Sequence, residues 1–142
     1  YISWGRSNRS TLIRIPWYSG TFERVEFRVP DASCSPHLVA ALIVAAGLEG
    51  IKENIEPPPE SLDNVYSHSS GLPSLPKDPG EAARELAKST FARGVLTDDL
   101  VERISSRLLA EWEEYGREVG EWEKTRLTVS PWEVERYLNV GA

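Results

Sequence analysis

Between Arg24 and Val29 the chain alternates without a break, with Arg24, Glu26 and Arg28 on one side and Val25, Phe27 and Val29 on the other. A period of two is the mark of a strand with one face on a core and the other away from it. Upstream, Ile13 and Ile15 oppose Arg14 in the same manner. Thr11 to Pro16 and Phe22 to Val29 are rich in branched and aromatic residues, and Ser19-Gly20-Thr21 lies between them. This pattern predicts an antiparallel β-hairpin with a greasy face and a charged face.

The pattern then changes to a helical one. Ser35 suits an N-cap, and Pro36 suits the first helical position, where its missing N–H costs nothing. Gly47 to Glu53 is predicted to end or kink this helix. The run Glu56-Pro57-Pro58-Pro59 breaks regular structure, and the polar stretch to Pro79 reads as a long loop. Loops of that length are usually functional or flexible. Beyond it, Asp78-Pro79-Gly80-Glu81 and Ser130-Pro131-Trp132-Glu133 have capping-box spacing. Between them Leu100, Ile104, Leu108, Trp112, Tyr115 and Val119 form an amphipathic stripe, with Asp98 and Asp99 favouring the start of that helix through the macrodipole. The predicted fold is α+β, with strands in 1–30, a buried helix in 31–55, a loop over 56–79 and a helical region over 80–142.

Composition narrows the partners. With 40% hydrophobic and 27% charged residues in 142, the chain is typical of a soluble globular domain. No apolar run reaches the ~20 residues that span a bilayer. Leu38 to Leu48 is alanine-rich and interrupted by Gly47, which points to a buried helix. A net charge of -6 argues against nonspecific nucleic-acid binding. Cys34 has no second cysteine to pair with, which suits a reducing cytoplasm. It is expected to be a small buried side chain. The chain has no methionine and opens on Tyr1, so it is expected to be a piece of a longer protein.

Charge is unevenly spread. From Tyr1 to Arg28 the basic residues are Arg6, Arg9, Arg14, Arg24 and Arg28, against Glu23 and Glu26. An arginine cluster in an acidic chain suggests a small anionic ligand, because guanidinium forks match phosphate and carboxylate oxygens. A carboxylate among them could hold a hard divalent cation beside a phosphate, an arrangement suited to phosphoryl transfer. The alternation fits a solvated salt-bridge ladder as well, and such ladders are common.

Longer motifs separate these readings. Asn8-Arg9-Ser10-Thr11-Leu12-Ile13-Arg14-Ile15-Pro16, then Arg24-Val25-Glu26-Phe27-Arg28, then Asp31 through Leu38, then Ala45-Ala46-Gly47-Leu48-Glu49-Gly50-Ile51 form an ordered series. Glu111-Trp112, Ser130-Pro131-Trp132-Glu133 and Tyr137-Leu138 complete it. The series resembles the C-terminal catalytic region of glutamine synthetases over nearly the whole chain.

The resemblance implies a hairpin belonging to the active-site sheet and an ATP-dependent ligation of ammonia to L-glutamate through γ-glutamyl phosphate. It implies that Arg9 contacts the transferred phosphoryl group, ATP and the glutamyl moiety. It implies that Arg14, Arg24 and Thr21 lie on the ATP side, and that Arg28 pairs with the glutamate carboxylate. Glu26 would ligate one of the catalytic Mg²⁺ or Mn²⁺ ions. The remaining carboxylates, a metal histidine and the acceptor site would lie upstream of these residues. The assembly implied is a dodecamer of two hexameric rings in the cytoplasm, without nucleic-acid or membrane partners. Taken alone, the piece is expected to be inactive and to fold only partly, because its hairpin exposes sheet edges.

Some residues depart from the family pattern. Its usual Asn-Pro-Tyr-Leu is Ser35-Pro36-His37-Leu38 here, and His37 is read as a packing substitution rather than a metal ligand. Trp4-Gly5 before Arg9 is similar to relatives that ligate glutamate to amines, so a glutamate–amine ligase is the alternative activity. A noncatalytic assembly protein is a further alternative, disfavoured by the intact Arg9, Arg14, Glu26 and Arg28. Tyr66 aligns with a tyrosine that some bacterial members use for regulatory adenylylation, and His68 reads as a solvated loop residue. Trp112, Trp122 and Trp132 read as core or subunit-contact residues.

Overall fold

The computed structural model describes residues 1–17 and 24–138. The chain divides into two compact units, Tyr1–Leu75 and Pro76–Ala142. The class is α+β, a small sheet followed by a mainly helical half.

The first unit holds three short strands, β1 (Trp4–Arg6), β2 (Ile13–Ile15) and β3 (Glu26–Phe27), in the order β1-β2-β3. As the alternation predicts, β2 and β3 pair antiparallel, with Ile13 opposite Phe27 and Arg14 opposite Glu26. The strands are shorter than the pattern suggests. The added element is β1, which runs parallel to β2 with Trp4 opposite Ile13. Parallel neighbours normally need a crossover of a dozen residues or more; here residues 7–12 make the return, with Ser7 at φ 54°. Such a tight return is closed by side-chain hydrogen bonds, described below.

The helix expected in 31–55 forms as α1 (Pro36–Lys52), and Pro36 occupies its first turn. Two details differ from the sequence reading, the capping at Ser35 and the burial of the helix. Ser35 makes no side-chain cap bond; instead Asp31 accepts from the Ser33 hydroxyl at 2.7 Å and from its backbone N–H. The helix continues through Gly47 and Gly50, at a cost of about 1 kcal/mol each, and stops at Lys52 with Glu53 as its C-cap, inside the 47–53 stretch expected to end it. Asn54, just beyond, takes a left-handed φ of 51°. Finally, none of its residues is buried, because no other described element of its unit packs extensively along it. Leu48 is 62% and Ile51 76% exposed. His37 is likewise exposed, not packed, and Cys34 is half-buried.

The second unit builds a core. Its helices are α2 (Pro79–Lys88), α3 (Thr90–Leu96), α4 (Asp98–Glu118), α5 (Trp122–Thr125) and α6 (Pro131–Glu133), the last widening into a π-helical turn over Val134–Leu138. Ala83, Ala92, Leu96, Val101 and Tyr115 are buried. On α4 the deepest positions are Val101 and Ser105, one residue beyond Leu100 and Ile104 of the predicted stripe. A serine is tolerated there because its hydroxyl donates to the Val101 carbonyl at 2.8 Å within its own helix. Gly80 lets α2 press against the Trp112 indole, where a Cβ would come within 2.3 Å of Cδ1.

Around Trp112 the aromatic rings interlock. Tyr115 stacks parallel at 5.7 Å, Trp122 meets Trp112 edge-on at 5.7 Å, and Trp132 meets Tyr115 edge-on at 5.6 Å. Offset-stacked and edge-on pairs add to the burial of their area. Ser130 and Glu133 form the full reciprocal capping box. At Asp78 only half of the predicted box forms: Asp78 accepts from the Glu81 N–H at 2.7 Å, while Glu81 reaches back to Lys77 instead.

Candidate functional site

The cross-strand register places Arg14 and Glu26 side by side, and their side chains meet. Arg14 Nη1 donates to Glu26 Oε1 at 3.0 Å and Oε2 at 2.8 Å. Arg24 Nη2 lies 3.4 Å from Oε1 of the same carboxylate. The Arg14 hydrogen bond, and then the positive charges of Arg14, Arg24 and Arg28, hold the Glu26 carboxyl below its ordinary value despite some desolvation. Arg14 is the most enclosed of the group, and its Nε is buried with no hydrogen-bond partner among the described residues.

Arg9 and Arg28 form a second contact. A guanidinium N–H of Arg28 donates to the Arg9 backbone carbonyl, which draws the chain just after β3 onto the 7–12 return. Arg9 is exposed, and its guanidinium carries no hydrogen bond or ion pair among the described residues. It lines a shallow polar recess of about 350 Å³ together with Asn8, Ser10, Asn64 and Tyr66. The structure thus brings together Arg14, Arg24 and Glu26, with the Arg28 charge acting on the same carboxylate, while Arg28 also holds the Arg9 carbonyl and Tyr66 shares the recess with Arg9. Thr21 lies outside the described residues.

The residues 56–79 have no helix or strand before Pro79, but they are anchored along β1. Trp4 Nε1 donates to the Pro58 carbonyl at 2.6 Å, and Arg6 pairs with Glu60 at 2.6 Å. The Ser61 N–H donates to the Trp4 carbonyl at 2.9 Å. Gly5 permits this approach, since a Cβ there would lie 2.7 Å from the Ser61 carbonyl oxygen. Sequence reading missed Asn8, Ser10 and Glu60 as organisers of the site. The signal available was a polar run, Ser7-Asn8-Arg9-Ser10-Thr11, ending in a threonine that proves 3% exposed.

Glu26 alone does not make a metal centre. Among the described residues no group of three His, Cys, Asp or Glu side chains could hold an ion. Magnesium takes oxygen ligands in octahedral geometry, and both Glu26 oxygens already accept from guanidinium groups.

Comparison with known proteins decides the family. The model of the glutamine synthetase catalytic domain matches residues 1–137. The chain belongs to the glutamine synthetase family. It is 40% identical over 121 residues to the glutamine synthetase of Methanosarcina mazei, covering 81% of this chain and 27% of that protein. Against the glutamine synthetase of Thermococcus kodakarensis the identity is 41% over 121 residues, with the same shares of 81% and 27%. Against that of Thermotoga maritima it is 39% over 125 residues, 84% of this chain and 28% of the relative. The chain therefore spans a little over a quarter of the length of these glutamine synthetases. Among solved structures, apo GmaS without ligand superposes with a TM-score of 0.66 at 26% identity, covering 97% of this chain and 30% of that one. A GmaS/ADP complex gives a TM-score of 0.61 at 27% identity, covering 96% and 29%. The small sheet followed by helices is thus the fold of this part of the glutamine synthetase catalytic domain. Among the described residues no helix is long and apolar enough to cross a membrane.

Proposed function

We propose that this chain carries part of the ATP, metal and glutamate site of a ligase that joins ammonia to L-glutamate through γ-glutamyl phosphate. The observation that carries the reading is the Arg14–Glu26 cross-strand pair, with Arg24 on the same carboxylate and, in the same unit, an exposed Arg9 guanidinium that has no partner among the described residues. Anionic substrates need such a set. Arg9, Arg14 and Arg24 offset the charge on phosphoryl oxygens while the γ-phosphoryl group moves to the glutamate side chain. Arg28 uses one N–H on the Arg9 carbonyl and keeps its other donors for the glutamate carboxylate. A GmaS/ADP complex is similar over 96% of this chain and 29% of its own length, which favours nucleotide binding by the whole protein.

A divalent cation, Mg²⁺ or Mn²⁺, would find one oxygen donor here, Glu26, and would need its other ligands from outside the described residues. Arg14 holds that carboxylate ionised and oriented. Thr21 is the further nucleotide contact proposed. We assign the working form to a cytoplasmic ring assembly of two hexamers, in which the apolar face of α1 is covered. Tyr66 is exposed enough, at 76%, for a modifying enzyme to reach it.

The test is phosphate release by the full-length protein supplied with ATP, Mg²⁺ and glutamate, with ammonia or a panel of amines as acceptor. Ammonia-dependent turnover is expected. Turnover with amines alone moves the assignment to a glutamate–amine ligase, and silence with every acceptor leaves a noncatalytic assembly protein.

A further inference from the structure

We propose that Asn8 is a positioning residue for Arg9, clamping its turn to the 61–65 segment; the idea rests on the reading of Arg9 as a phosphoryl contact. The Asn8 side chain makes four hydrogen bonds. Its Nδ2 donates to the Ser61 carbonyl at 2.8 Å and to the Asp63 carbonyl at 2.9 Å. Its Oδ1 accepts from the Ser10 N–H at 3.0 Å and from the Ser10 hydroxyl at 2.6 Å. That uses both amide protons and both lone pairs of the carboxamide. The Ser10 hydroxyl extends the clamp by accepting from the Val65 N–H at 3.0 Å, and Val65 is 1% exposed.

Arg9 lies between the two residues that make these bonds, and its own carbonyl is held by Arg28. Its backbone is therefore fixed from three directions while its guanidinium stays unbonded among the described residues. This arrangement suits a charge that must meet a moving phosphoryl group: the turn is rigid and the donors are free. The side-chain bonds also explain how six residues, 7–12, can return the chain between parallel strands. No apolar packing could do so, because Arg9 is exposed and Asn8 and Ser10 are only half-buried.

The experiment is a double-mutant cycle in the full-length protein, read by phosphate release and by amide hydrogen exchange. Asn8→Ala is expected to lower kcat on the order of 100-fold, the cost of a misplaced catalytic group, with KM for ATP nearly unchanged. In an Arg9→Ala background the same substitution is expected to cost nothing further, because its effect passes through Arg9. Exchange at the Ser10 and Val65 amides is expected to accelerate. Ser10→Ala, a milder change should Asn8→Ala fold poorly, is expected to free the Val65 amide and lower kcat less. An undiminished loss on top of Arg9→Ala, or unaltered exchange at Ser10, overturns the proposal. A wild-type protein silent with every acceptor overturns the functional reading instead, and exchange at Ser10 then decides whether the clamp exists.

Discussion

The two units of the chain keep their shape by different means. In 76–138 small and aromatic side chains close a core: Ala83 and Val101 are at most 1% exposed, and Trp112, Tyr115, Trp122 and Trp132 interlock ring on ring. In 1–75 the aliphatic side chains buried among the described residues are Pro16 and Val65, while Ile2, Val25, Phe27, Ile43, Val44, Leu48 and Ile51 are exposed. That unit is held by directed bonds: the Arg14–Glu26 pair, the Arg6–Glu60 pair and the Asn8 clamp. Apolar packing stabilises without regard to direction, whereas hydrogen bonds to charged groups fix geometry and contribute modestly to stability. The unit bearing the candidate site is therefore geometrically defined but thermodynamically dependent on being covered.

The sharpest way to break this comparison is to separate the units. Segment 76–138 is expected to retain helical circular dichroism and melt cooperatively, while segment 1–75 is expected to show neither. A cooperative melt of 1–75 would contradict the contrast. Next in size, Trp112→Ala removes the ring at the centre of the aromatic cluster. It is expected to destabilise 76–138 by about 3 kcal/mol, checked by denaturant unfolding. Gly5→Ala is the counterpart in the first unit. Its methyl would push on the Ser61 carbonyl, at an expected cost of about 2 kcal/mol, with faster exchange at the Ser61 amide as the readout.

The smallest effect concerns acid. The Glu26 carboxyl is held below its ordinary 4.5 by Arg14 first of all. In the unfolded chain it takes up its proton at a higher pH than in the folded one. The stability due to the pair is complete above pH 4.5 and is lost as the pH falls through the lower folded value. Glu26→Gln is expected to flatten that part of the acid-unfolding curve; superimposable curves for the two proteins would count against the pairing.

How legible the molecule is in its sequence follows the same division. The charged face of β2 and β3 was readable because alternation fixes which side chains share a face, and Arg14 does meet Glu26. The second capping box was readable because it is local, and it forms in full. What depends on distant partners was not. β1 is three residues long and pairs through a return that no periodicity announces. The anchoring of 58–65 rests on bonds across more than fifty residues of sequence, such as Asn8 to Ser61 and Arg6 to Glu60. The apolar composition of α1 predicts burial, but composition says only that a helix wants cover, and no described element of its own unit supplies it.

The most direct test of the account is Glu26→Ala in the full-length protein, measured by phosphate release with ATP, Mg²⁺, glutamate and ammonia. The charged sheet face predicts that turnover falls on the order of 100-fold or more, while oligomeric size stays that of the wild type and the thermal melt falls only slightly, by the loss of the Arg14–Glu26 pair. Turnover preserved in a properly assembled Glu26→Ala protein would contradict it, and would return the Arg14–Glu26 pair to the status of a surface salt bridge.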